Sequence, residues 1–148
     1  ERTFDSAAFV TALRLWHPAL VQYDPTPRGV KRFANRARLM VLYERLSAAA
    51  EDPPRQPMAE EHVVAVTAIH QVEPELLHQW AERCSGSDVW AGFELDWPPS
   101  PPNVADATNT TPQLPLRESW RKHYERHGGP AAEEIVRLSR RMQDVKVR

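Results

Sequence analysis

The stretch Thr26-Pro27-Arg28-Gly29-Val30-Lys31-Arg32-Phe33-Ala34-Asn35-Arg36-Ala37-Arg38-Leu39 allows little choice of local structure. Thr26 is a helix-capping residue, and Pro27 follows at the first helical position, where a missing N–H costs nothing. Val30, Phe33, Ala34, Ala37, Val41 and Leu42 then recur three or four residues apart, as one face of an α-helix requires. Arg28, Arg32 and Arg36 form a cationic row on another face, with Lys31, Asn35 and Arg38 beside it. Arg28 falls in the first turn, where the helix dipole disfavours cations, so an Arg placed there is suited to meet something negative. The competing reading is an ordinary solvated basic face. The helix is expected to run to about Ala50. Its later part, Leu39 to Leu46, is apolar on most sides and is expected to be buried by several neighbours.

The flanking segments are also helical in pattern. Phe9, Val10, Leu13, Trp16 and Leu20 predict a helix from about Asp5 to Val21, with Pro18 expected to bend it or end it early and His17 to be partly buried. Asp24 before Pro25 marks a turn. A third helix is expected over Met58 to Val72, and a fourth over Pro74 to Cys84. Leu116, Trp120 and Tyr124 place another over Arg117 to His127, closed by Gly128-Gly129. Pro130 opens a last one through Ile135, Leu138, Met142 and Val145. Trp90, Phe93, Leu95 and Trp97 form an irregular aromatic segment, followed by a proline-rich stretch. The expected fold is all-α, with about six helices and an irregular aromatic and proline-rich insertion. Residues 1–97 form a helical region holding the basic helix, 98–116 a proline-rich loop, and 117–148 a helical pair packed on the same domain.

Charge is unevenly distributed although the net is −1. Residues 27–46 carry +5, residues 47–116 carry −9, and residues 117–148 carry +4. Two basic segments thus flank an acidic middle, which suits either a polyanion ligand or neutralisation within the fold. Cys84 is the one cysteine, so no internal disulfide forms, and a cytoplasmic location is expected. No apolar run approaches the roughly 20 residues of a membrane span. Because the chain opens on Glu1 and stops within a helical pattern at Arg148, we expect a piece of a larger protein.

No Gly-x-x-x-x-Gly-Lys-[Ser/Thr] occurs, so these residues alone are not expected to hydrolyse ATP. His123 and His127 share a helical face at a spacing compatible with two metal ligands, but no third ligand is evident. They are read as solvent-facing histidines beside Trp120 and Tyr124, with no metal. Neither Ser, His and Asp nor Cys84 forms a recognisable nucleophilic arrangement, and no catalytic residue is assigned.

Pro27-Arg28-x-x-Lys31-Arg32-Phe33-x-Asn35-Arg36-x-Arg38-Leu39 resembles the PRxxKRFxNRxRL signature near the C-terminal end of the KAP family of P-loop NTPases. Thr26-Pro27-Arg28 also resembles the start of the lid helix in AAA-type motors, where the arginine is the "sensor 2" group that reaches the nucleotide γ-phosphate. The resemblance covers about fourteen residues. It implies a non-catalytic helical region that contacts nucleotide through Arg28, with Lys31 and Arg32 in support, and couples that contact to lid movement. ATP and Mg²⁺ would be held by an upstream P-loop domain of the same chain. Two alternatives remain open. One is a helical protein-interaction module using Arg36, Arg38, Trp90 and Trp97. The other is a nucleic-acid-binding domain that lays the basic helix along phosphates.

Overall fold

A computed structural model describes residues 5–75, 113–128 and 132–146, which form five helices and no strand. The fold class is all-α, as expected. Of the helix expected over Pro74 to Cys84, only Pro74 and Glu75 lie within the described residues, and both are helical. Cys84, Trp90, Trp97 and most of the proline-rich stretch lie outside them.

Helix α1 (Ala7–Tyr23) is capped by Ser6, whose hydroxyl accepts the Phe9 N–H at 3.0 Å. Phe9, Ala12, Trp16, Ala19 and Leu20 form its buried stripe. The helix runs through Pro18 rather than ending there. Pro18 lies on the exposed side, where water can solvate the carbonyl freed by its missing N–H. In the same region the Leu15 carbonyl accepts a 3.0 Å hydrogen bond from Ser119. His17 is exposed, not partly buried.

Helix α2 (Pro27–Ala50) has the expected limits, and its 24 residues make it about 36 Å long. Gly29, Phe33, Ala37, Met40, Val41, Glu44 and Ala48 face the core. Leu39, Leu42, Tyr43 and Leu46 do not. The apolar surround expected for the helix's second half is absent on its outer face, because α1 and the helix of Glu60–Val72, the described helices packed most closely on α2, lie on the other side. From the helix of Ala132–Lys146 only the Arg141 guanidinium reaches this face among the described residues, 5.7 Å from the Tyr43 ring centroid.

Helix α3 (Glu60–Val72) starts two residues later than expected, leaving Met58 buried in the preceding loop. Every residue from Val63 to Ile69 is buried, and so is Val72. A helix apolar all round must sit at the centre of its domain, and α3 does, packing against α1, α2 and the two C-terminal helices. Its buried polar group Thr67 donates to the Val63 carbonyl at 2.7 Å. Helix α4 (Gln113–His127) begins inside the stretch expected to be loop. It lies across α1 and α3, and Gly128 closes it in the left-handed region (φ 74°), donating to the Tyr124 carbonyl at 2.8 Å. Helix α5 (Ala132–Lys146) packs Leu138 and Met142 toward α3.

Candidate functional site

The N-terminus of α2 is fixed by short local bonds. The Thr26 hydroxyl accepts the Gly29 N–H at 3.0 Å and donates to Asp24 Oδ1 at 2.8 Å. Asp24 folds against the first turn so closely that a Cβ on Gly29 would lie 2.3 Å from its Oδ2. The chain therefore supplies one carboxylate of its own to this positive helix end. No ion pair ties Arg28, Lys31 or Arg32 among the described residues, and all three side chains are exposed.

One turn further on, the basic row changes character. Arg36 Nη1 donates to Gln71 Oε1 at 3.1 Å. Arg38 forms a two-pronged pair with Asp5, at 2.9 Å through both Nε and Nη2, and donates from Nη1 to Asn35 at 2.8 Å. Its guanidinium also stands 5.7 Å from the Phe9 ring centroid. The hydrogen bond from Arg38 holds the Asp5 carboxyl below its ordinary value. Arg45 pairs with Glu60. Arg36 and Arg38, expected as parts of an interaction surface, are thus engaged within the domain.

At the inner side of α2, Glu44 is 4% exposed and gathers donors from three directions. Arg55 Nη1 lies 2.6 Å from Oε2, the Met58 N–H 2.8 Å and Arg137 Nη2 3.0 Å. Arg55 also reaches Glu51 at 2.6 Å through Nε. Burial pushes the Glu44 carboxyl up, but the Arg55 and Met58 hydrogen bonds and the Arg137 charge outweigh it and leave it lowered. This carboxylate ties the α2–α3 loop and α5 to α2.

A second polar cluster joins α3 to α4. His62 Nδ1 and His123 Nε2 are 3.0 Å apart, so one imidazole donates and the other accepts. Trp120 stacks on His123 at 5.6 Å between ring centroids, Trp16 lies at 6.2 Å and His127 at 5.1 Å. His123 is 1% exposed, which corrects the expectation of two solvent-facing histidines; His127 alone is exposed. Leu116, Ser119, Trp120 and His123 form the buried stripe, and the i, i+3, i+4, i+7 spacing was there to be read in the sequence. Burial, reinforced by the neighbouring imidazoles His62 and His127, pushes His123 down to about 3; burial also lowers His62. Both are therefore neutral near pH 7. The third imidazole partner missing from the sequence reading comes from α3. Even so, no three His, Cys, Asp or Glu side chains among the described residues are arranged to hold a metal ion.

None of the described helices is long and apolar enough to cross a membrane. Compared with protein-family models, curated proteins and solved structures, the chain matches none.

Proposed function

We propose that this chain is the non-catalytic helical region of a cytoplasmic, KAP-like P-loop NTPase, with Arg28 reaching the γ-phosphate of ATP bound by an upstream domain. The reading is supported by the division within the basic row of α2. Arg28, Lys31 and Arg32 stand exposed and without ion pairs among the described residues at a rigidly capped helix start. Arg36 and Arg38 are held by Gln71 and Asp5. A continuous phosphate-tracking row, as a nucleic-acid surface would need, is correspondingly shortened.

Mg²⁺ and the attacking water belong to the P-loop domain in this scheme. Arg28 contributes positive charge where negative charge develops on the γ-phosphate, with Lys31 and Arg32 raising the local potential. A contact at Arg28 is transmitted along α2, because Glu44 fastens the far half of that helix to the following loop and to α5. Loss of the γ-phosphate then releases the helical region as one body.

Measuring ATP turnover in the full-length protein tests the scheme. Arg28→Ala is expected to lower turnover by about 10³-fold or more, and Arg38→Ala to leave it nearly unchanged. Equal losses from the two substitutions, or a full-length protein that hydrolyses no ATP, would remove the nucleotide reading.

A further inference from the structure

The outer face of α2 exposes four large apolar side chains: Leu39 (40%), Leu42 (50%), Tyr43 (37%), whose ring centroid has the Arg141 guanidinium of α5 at 5.7 Å, and Leu46 (59%). They stand on successive turns and form a stripe opposite the core-facing Phe33, Ala37, Met40 and Glu44. Clustered exposure of this kind marks an interaction surface, whereas scattered exposure does not. The stripe's spacing, three then one then three, reads the same in both directions along the helix. A two-fold contact presents one patch to itself in reverse, so a palindromic stripe is complementary to its own copy.

We propose that α2 pairs antiparallel with α2 of a second copy of this chain, through Leu39, Leu42, Tyr43 and Leu46. The two-fold axis then passes between Leu42 and Tyr43. Leu39 faces the partner's Leu46, and Leu42 faces the partner's Tyr43. Charge fixes the direction. Antiparallel pairing brings Arg32 level with the acidic end of the other α2, where Glu51 and Asp52 are exposed and Asp52 has no ion pair among the described residues. Parallel pairing would set Arg32 beside the partner's Arg32. The one acid of α2, Glu44, is buried on the other side and gives that repulsion no relief. Next to Leu42, a cleft of about 240 Å³ has an apolar floor of Phe9 and Val41. Its charged rim is already closed by Arg38 with Asp5 and Arg45 with Glu60, so the cleft accepts an apolar anchor such as the partner's Tyr43 without leaving a charge unpaired. Arg28 lies beyond this seam and stays accessible.

Sedimentation equilibrium of the chain over a wide concentration range tests the pairing, and a reversible dimer is expected. Leu42→Asp should weaken association by more than about tenfold. Leu42 is exposed, so the helical circular dichroism, and the urea midpoint at concentrations where the parent is monomeric, should be unchanged, which separates lost pairing from lost folding. Orientation is read by cross-linking after Cys84→Ser: mixed Leu39→Cys and Leu46→Cys chains should form the hetero-disulfide in preference to either homodimer. A chain monomeric at every concentration, a dimer indifferent to Leu42→Asp, or preferred Leu39→Cys homodimers would each overturn the proposal. None of these readouts involves ATP, so they stand or fall apart from the nucleotide reading.

Discussion

Arg28 and Glu44 belong to the same helix, roughly four turns apart, and meet opposite surroundings. Glu44 has lost its water and gathered Arg55, Arg137 and the Met58 N–H. Arg28 keeps its water and has no ion pair among the described residues. The contrast extends to their neighbours: charges toward the far half of α2 bond inward, and those in its first turns do not. A charge already satisfied within the fold stabilises the domain, and a charge left unsatisfied is available to something outside it. Stability and recognition therefore separate along one helix, and substitutions should separate them too.

The largest break comes at Glu44. Glu44→Ala leaves Arg137, Arg55 and the Met58 N–H facing a buried gap, and removing one partner of a buried pair costs about 3–5 kcal/mol. Arg55 and Arg137 are partly exposed, so the loss should fall at the lower end of that range; urea unfolding measures it. Gly29→Ala probes the boundary between the two regions. The new Cβ must displace Asp24 from the helix start, and we expect a loss of about 1–2 kcal/mol by the same measurement, typical of overpacking combined with a weakened cap.

Acid sharpens the contrast at the other buried cluster. The pKa values of His62 and His123 are lower in the folded state than in the unfolded chain, where histidine titrates near 6.5. Between those values the unfolded chain binds more protons, so stability falls as pH drops below about 6.5, by up to about 1.4 kcal/mol per pH unit for each such group. For His123 the window extends down to about 3. Glu44 and Asp5, both lowered, add losses in the same direction only once pH falls below the ordinary carboxylate value. His123→Gln should flatten the dependence between pH 6.5 and 5.5, as urea midpoints in that window would show. If the slope persists in that variant, the acid sensitivity lies elsewhere.

The smallest effects belong to exposed cations. Arg38→Ala gives up a pair whose arginine is 46% exposed, and should cost no more than about 0.5–1 kcal/mol. Arg28→Ala should leave the unfolding midpoint within about 0.5 kcal/mol of the parent. A clear destabilisation by Arg28→Ala would mean that this residue too is part of the fold, and the separation along α2 would fail.

Part of this is legible in the amino-acid sequence alone. Thr26-Pro27 and the three-and-four spacing placed α2 at its observed limits, because capping and periodicity are local signals. Nothing local marks Glu44 as a hub, since its partners come from a loop and from α5, far along the chain. Its being the one acid in a basic helix was the available clue. His123 reads as solvent-facing in the sequence because Leu116, Trp120 and Tyr124 already make a plausible stripe; the buried stripe is rotated by a residue toward α3. Leu42 and Leu46 were expected to be covered because apolar composition registers hydrophobicity, not the number of neighbours a helix has. Pro18 was expected to interrupt α1, yet a proline on a wet face leaves its orphaned carbonyl solvated.

The bond from Ser119 to the Leu15 carbonyl joins parts of the chain separated by 104 positions. A ribosome adding roughly 5–20 residues per second makes the first of these residues some 5–20 s before the second. Trp16 is made at the start of that interval and α3 is complete shortly after its midpoint, yet the helix that roofs them is not made until its end. The newborn chain must therefore wait with its future core open, and a holding chaperone would find its natural target in the first three helices.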